Sequence, residues 1–371
     1  MNINISPVKY SSIVEIGEQV SELEKTGQKF LKLHRGVMDI ETIDLNSFSK
    51  DIDFNQKKLQ QYGGNDGDSE LLNTIKNKFH LEQHHIIITP GGMAAIDLVI
   101  NSLSNQTFLV PKYHWGSWNK ILTVHDKKIK LFDDFDIANF KPMSGVILLC
   151  YPSNPTGFSP KPEDLNIFLE HCKTFNITVI LDFPYFYLFN DVDDEIYKSY
   201  HDNVIILSSF SKSAGLSGFR VGYAATKNQQ LYDTMKIRSL YKYNSISNVS
   251  QHIIQGLLIT EHGKKALDKY QKATKTDIKK NIQYLIDNNL LFNEYPTNSI
   301  PVGPFAIINK TFDELMKNSI SSVPLGKFTI FIQKGTDVYE KLNKFSRISV
   351  AVKHDLFVEY FDKMKSCTEL A

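Results

Sequence analysis

The chain has 371 residues, room for two domains of about 150 residues each and for a large buried core. Apolar residues make up 42% and charged residues 22%, the balance of a folded globular protein rather than a disordered one. With 42 Lys+Arg against 41 Asp+Glu, the formal charge of +1 offers no field to gather nucleic acid or anionic lipid, which argues against a nucleic-acid binder or a membrane-surface protein.

In chain order, Met1 to Ser12 is polar and lacks the basic-then-apolar layout of a signal peptide, so a cytoplasmic location is expected. Ile13, Ile16, Val20 and Leu23 recur every three or four residues and predict an amphipathic helix over 13–26. Gly27 ends it, and Phe30 to Leu33 reads as a short strand before Gly36. The turn-rich stretch Tyr62-Gly63-Gly64-Asn65-Asp66-Gly67 precedes a second helix, with Asp68 as its N-cap and Leu71, Leu72, Ile75 and Phe79 on its buried face. Seven apolar runs follow: Ile86–Thr89, Thr107–Val110, Ile129–Phe132, Gly145–Cys150, Thr178–Asp182, Val204–Ser208 and Val221–Ala225. Helical patterns separate most of them, notably Met93–Leu103, Pro162–Phe175 and Gln229–Ser239. Near-continuous apolar strands alternating with helices predict a sheet covered on both faces. Residues 248–290 contain no proline and read as one long helix leaving the sheet. Strands are then expected near Phe305–Ile308, Phe328–Ile332 and Arg347–Val350, before a closing helix to Lys365. No uncharged apolar run approaches the roughly 20 residues of a membrane-spanning helix. Cys150, Cys172 and Cys367 are too few, and wrongly spaced, for a disulfide framework or a cysteine zinc site.

Chemistry gathers at the C-terminal ends of these strands, where open α/β sheets hold ligands. In Ser209-Phe210-Ser211-Lys212, a lysine sits just past a strand exit and could form a Schiff base with an aldehyde. Arg220, eight residues on, can make a bidentate contact with phosphate. Asp182 ends the apolar strand Val179-Ile180-Leu181, and a partly desolvated carboxylate there wants a cation such as a protonated pyridine nitrogen. Tyr185 could donate to a phenolate oxygen on the same ring. In Tyr151-Pro152-Ser153-Asn154-Pro155-Thr156-Gly157, a cis Asn154–Pro155 bond is expected to aim Asn154 into the site.

These three motifs, in this order, resemble the class I/II aminotransferases, fold-type I enzymes that use pyridoxal 5′-phosphate, over nearly the whole chain. The resemblance implies an α/β fold, with a mostly parallel seven-stranded sheet in a large domain and a smaller α+β domain drawn from both termini. Expected borders are an N-terminal arm over 1–45, the large domain over 46–250 and the C-terminal domain over 251–371. Lys212 then matches the lysine that holds the cofactor and shuttles the substrate proton, Asp182 the aspartate that keeps the pyridine nitrogen protonated, and Tyr185 and Asn154 the pair on the phenolate oxygen. Phosphate binding is expected from Arg220, Ser209 and Ser211, with the backbone N–H groups of Gly92 and Met93 at a helix start. Tyr62 matches a tyrosine that crosses a homodimer interface to the partner's phosphate, so active sites would be shared. Trp115 stands where the family stacks an aromatic on the ring, with Tyr113 as the competing choice.

Arg347 matches the arginine that clamps the substrate carboxylate, Asn154 lies beside that carboxylate as well, and Gly36 lets substrate pass close to the backbone. Arg238 falls where some members place a further arginine near cofactor or substrate, although a solvated helix arginine explains it too. A contact to the partner subunit could fall on Ser245 or Ser247. His80 and His84 have metal-ligand spacing but read as a polar connection, with no metal expected. The expected activity is transfer of an amino group from an L-amino acid to a 2-oxo acid, 2-oxoglutarate first among them. The same residues would also serve β-elimination, decarboxylation or oxidation and cyclisation of an amino acid. A ligand-sensing regulator on this fold would carry an additional DNA-binding domain and a basic patch, for which the sequence gives no sign.

Overall fold

A computed structural model describes the chain except residues 1, 2, 4, 105, 190–200, 298, 331, 333, 370 and 371. Seven strands form one sheet, in the spatial order His85–Thr89, Gly222–Thr226, Val204–Ser209, Thr178–Asp182, Val146–Cys150, Thr107–Pro111 and Lys128–Phe132. All neighbours run parallel except Gly222–Thr226, which is antiparallel to both of its neighbours. Every residue of Val146–Cys150 and Val204–Ser209 is buried, which requires cover on both faces and explains their unbroken apolar sequence. Helices Gly92–Ser102, Gln229–Tyr243 and Pro162–Thr174 pack against the sheet. Register sets Cys150 beside Asp182, and Asp182 beside Leu207, so the parallel strands deliver their last residues to one edge.

The two ends of the chain meet in smaller sheets. Leu31–Lys32 pairs in parallel with Ile320–Ser321, and Val323–Pro324, Ser346–Ser349 and Phe305–Ile308 form an antiparallel triplet. A second apolar cluster unites Ile16 and Val20 of the first helix, Ser12–Lys25, with Tyr113, Phe292 and Phe328.

Helix starts obey local capping chemistry. Asp68 accepts from the N–H groups of Glu70 and Leu71 and starts Ser69–Lys78, as its sequence predicts. The continuous helix expected over 248–290 is instead two, Asn248–Ile259 and Glu261–Asp287. Thr260 takes an extended conformation between them and its hydroxyl accepts from the N–H of Gly263, so the residue that ends one helix caps the next. The strand expected near Phe328–Ile332 is also corrected over its described residues, Phe331 lying outside them. A 3-10 turn at Leu325–Lys327 bends the chain through 328–330, and Val323–Pro324 takes the strand position.

Past the Ser69–Lys78 helix, His80 takes a left-handed backbone (φ 52°) and His84 is buried. Among the described residues, no group of three or more His, Cys, Asp or Glu could hold a metal ion. None of the described helices is long and apolar enough to cross a membrane.

Candidate active site

The C-terminal edge of the sheet opens on a cavity of about 320 Å³. Its wall brings together Lys212, Asp182, Tyr185, Asn154, Arg347 and Gly36. Gly92, Met93, Trp115, Ser209, Ser211 and Arg220 also face it. Two sequence candidates stay outside. Tyr62 is 86% exposed within one chain. Arg238 is exposed on the Gln229–Tyr243 helix beside His125 and Lys127, which supports its solvated reading over a substrate contact in this chain.

Lys212 rides on a four-residue helix, Phe210–Ser213, placed directly after a buried strand. Ser209 caps this turn: its hydroxyl accepts from the Ser211 N–H at 3.1 Å and donates to the Ser211 hydroxyl at 2.8 Å. The Lys212 carbonyl accepts from the Tyr270 hydroxyl at 2.8 Å, and the Ser213 carbonyl from the Gln271 amide at 3.0 Å. The long Glu261–Asp287 helix therefore fixes the lysine's backbone, a role that no local motif announces. Burial first, then the positive charges of Arg220 and Arg347, pull the Lys212 amine down to about 8.

Asp182 is buried at the end of its strand, and among the described residues it has no cationic partner within ion-pair distance. Burial lifts its carboxyl to about 7, opposed by the neighbouring indole of Trp118. The Trp118 N–H itself is buried without hydrogen-bond geometry to any acceptor. Asn154 lies between two cis bonds, Tyr151–Pro152 and the expected Asn154–Pro155, and its Oδ1 is buried without a partner. Burial raises the Tyr185 phenol well above its ordinary value, so it stays a neutral donor.

The phosphate-type corner is built mainly from backbone. Gly91 has φ 93°, and a side chain there would meet Arg220 Nη2 at 2.5 Å, so glycine lets the chain turn into the Gly92–Ser102 helix beneath the guanidinium. The first N–H groups of that helix have no intrahelical acceptor and carry its positive dipole end. Arg220 is exposed, donating from Nη1 to the Ser217 carbonyl at 2.8 Å and from Nη2 to the Pro90 carbonyl at 3.2 Å.

At the opposite end Arg347 is fully buried, its guanidinium carbon 4.6 Å from the Phe305 ring centre and 4.8 Å from that of Phe328. Nη2 donates to the His34 carbonyl at 3.0 Å, whereas Nε and Nη1 have no acceptor. Burial works against the charge, and two unmet donors call for an anion. Phe305 also packs edge-on against Tyr185, with ring centres 5.6 Å apart. At Gly36 a Cβ would strike Phe305 Cζ at 2.7 Å, so glycine there admits the ring. Packing separates Trp115 from Tyr113. Trp115 lines the cavity, while Tyr113 is buried against Phe292, ring centres 6.1 Å apart, in the second cluster. Sequence reading missed Phe305, Phe328 and Tyr270. All three come from the C-terminal third and carry no motif, and the strands expected at Phe305–Ile308 and Phe328–Ile332 pointed to two of them only as packing residues.

A sequence profile described as aminotransferase class I and II matches residues 31–355. Histidinol-phosphate aminotransferase 2 of Oceanobacillus iheyensis is 28% identical over 193 residues, covering 48% of this chain and 53% of that protein. A probable aspartate aminotransferase of Methanocaldococcus jannaschii is 25% identical over 50% of this chain and 54% of that one. The chain spans about half the length of the curated relatives it matches. Among solved structures, aspartate aminotransferase from Thermus thermophilus with maleate superposes with a TM-score of 0.80 at 16% identity, over 98% of this chain and 99% of that one. At that identity the likeness speaks for the fold, whereas the profile covers most of the chain: it belongs to the class I and II aminotransferase family.

Proposed function

We propose that the chain is a pyridoxal 5′-phosphate-dependent aminotransferase, moving an amino group from an L-amino acid to a 2-oxo acid, of which 2-oxoglutarate is the candidate that the resemblance suggests. The reading is carried by one convergence: an amine near pKa 8, a buried carboxyl short of a cation and a buried arginine with two unmet donors line one cavity.

The residues fit the cofactor at each point. A protonated pyridine nitrogen answers the charge that Asp182 lacks, Asn154 and Tyr185 suit the ring oxygen, and Trp115 suits a ring face. Ser209, Ser211, Arg220 and the helix start at Gly92 suit the phosphate. Bound there, pyridoxal phosphate supplies an aldehyde that captures amines and a ring that accepts the electron pair left when a Cα proton departs.

The protein's part is placement and proton handling. Arg347 turns its Nε and Nη1 donors to the substrate carboxylate and fixes the orientation of Cα. Lys212, neutral in a useful fraction near pH 8, takes the proton from Cα and delivers it across the cavity. Asp182 stays ionised once a cation faces it, which stabilises the positive ring nitrogen. Tyr185 donates a hydrogen bond and keeps its own proton.

We further propose a homodimer in which Tyr62 reaches the partner's phosphate, with domain borders near residues 45 and 250. The exposed Tyr62 and the hydrogen bonds from Asn248 Nδ2 to the carbonyls of Lys58 and Gln61, which brace its loop, support that role. Incubating purified protein with labelled L-amino acids and a 2-oxo acid tests the activity. Label should move to the acceptor, and a protein saturated with cofactor that releases only ammonia or carbon dioxide contradicts transfer.

A further inference from the structure

Taking that aminotransferase reading as given, we propose that the amino donor is a monocarboxylic amino acid with an apolar side chain, because the described residues that line the cavity leave no further charged group to meet a second carboxylate. The assignment follows by subtraction. Lys212, Asp182, Asn154, Tyr185, Ser209 and Ser211 serve the cofactor, with Arg220 and Ser217 at its phosphate corner. Arg347 serves the substrate carboxylate. The rest of the lining is uncharged, with burial holding Cys150 as a neutral thiol, and Ile13, Gly36, Trp115 and Phe305 within it form the apolar wall left for the substrate side chain.

A second carboxylate set against this wall would lose its water and gain no donor, a heavy penalty for an ion. The arginines are too few to change this. The chain contains four, Arg35, Arg220, Arg238 and Arg347. Arg238 is exposed beside His125 and Lys127, and Arg35 is exposed with its Nη2 3.6 Å from where a Gly17 side chain would start. Lys120, Lys327 and Lys334 line a second cavity that meets this pocket at Ile13 and Trp115, so an anion in this pocket has that apolar pair between it and the lysines. Lys120 already donates to the carbonyls of Lys9 and Tyr10.

The test uses holoenzyme and follows the cofactor's absorbance in single half-reactions with Leu, Met, Phe, Asp, Glu and histidinol phosphate. The apolar donors should convert with rate over dissociation constant at least about 100-fold above Asp and Glu. Independently of turnover, calorimetry should show hydrocinnamate binding more tightly than succinate. Ile13→Lys, which sets a cation in the wall, should narrow both gaps. Equal or faster conversion of Asp or Glu, tighter succinate than hydrocinnamate, or an unchanged preference in the Ile13 variant would overturn the proposal. Histidinol phosphate outpacing every apolar donor would overturn it as well, since that substrate would have carried its anion past Ile13 and Trp115. Conversion of no amine would refute the aminotransferase reading instead, and the hydrocinnamate–succinate comparison would still decide the character of the wall.

Discussion

At the phosphate-type corner Arg220 is exposed and already hydrogen-bonded to two carbonyls, whereas at the far side Asp182 is buried with no cation paired to it among the described residues and Arg347 is buried with two donors unmet. The first corner spends little on desolvation, so it holds an anion by geometry, with solvated charge and helix N–H groups. The second keeps ionic groups in a low-dielectric interior where only the ligand completes them. Binding to the exposed corner should set affinity, and binding to the buried groups should set chemistry. Residues of the buried set should also cost stability when empty, the usual trade at a functional site.

The largest effect tests the amine that lies between the two regions. Lys212→Ala should lower amino transfer by more than about 10⁴-fold while thermal unfolding of the apoprotein stays at or above the parent value. Undiminished turnover would remove the lysine from the chemistry. Asp182→Asn should lower turnover by roughly 10²- to 10³-fold. Its stability should move the other way. Burial raises the Asp182 carboxyl from 3.8 to about 7, so between those values the folded apoprotein holds a proton that the unfolded chain has released, and stability falls as pH rises. Above pH 7 the full penalty is present, and Asn, which cannot ionise, should make the apoprotein melt higher than the parent at pH 8. A lower melting temperature there would contradict an unpaired buried carboxylate.

Arg347→Lys keeps a charge but loses the fork between Phe305 and Phe328, and should raise KM roughly 100-fold with a smaller change in kcat. Arg220→Ala should weaken cofactor binding only about tenfold, because its charge is solvated and backbone N–H groups remain. If Arg220→Ala proved as damaging to kcat as Asp182→Asn, the division of labour would fail. The gentlest probe is pH. With Lys212 near 8, capture of pyridoxal phosphate by apoprotein should speed up about tenfold between pH 7 and pH 9, following the neutral amine.

Much of this was legible in the sequence because it is local. Unbroken apolar runs such as Val146–Cys150 mark strands buried on both faces, and Asp68 announces a helix start through its own side chain. The candidate set that lines the cavity was legible because its motifs are short and most fall at a strand end. What escaped depends on contacts between distant segments. Thr260 breaks a proline-free helical stretch because its hydroxyl caps the next helix, which propensity alone does not report. Phe328 leaves the strand pattern expected of it and packs on Arg347. Tyr113 and Trp115 differ by two positions, and only the second apolar cluster, assembled from both ends of the chain, decides which one faces the cavity.

The central claim is a covalent one, that the amine of Lys212 carries the cofactor. Protein loaded with pyridoxal phosphate, reduced with borohydride and digested should yield one peptide bearing a pyridoxyl phosphate mass, with the modification on Lys212. A modified peptide centred on another lysine, or no modified peptide from a fully folded, cofactor-saturated protein, would contradict the account.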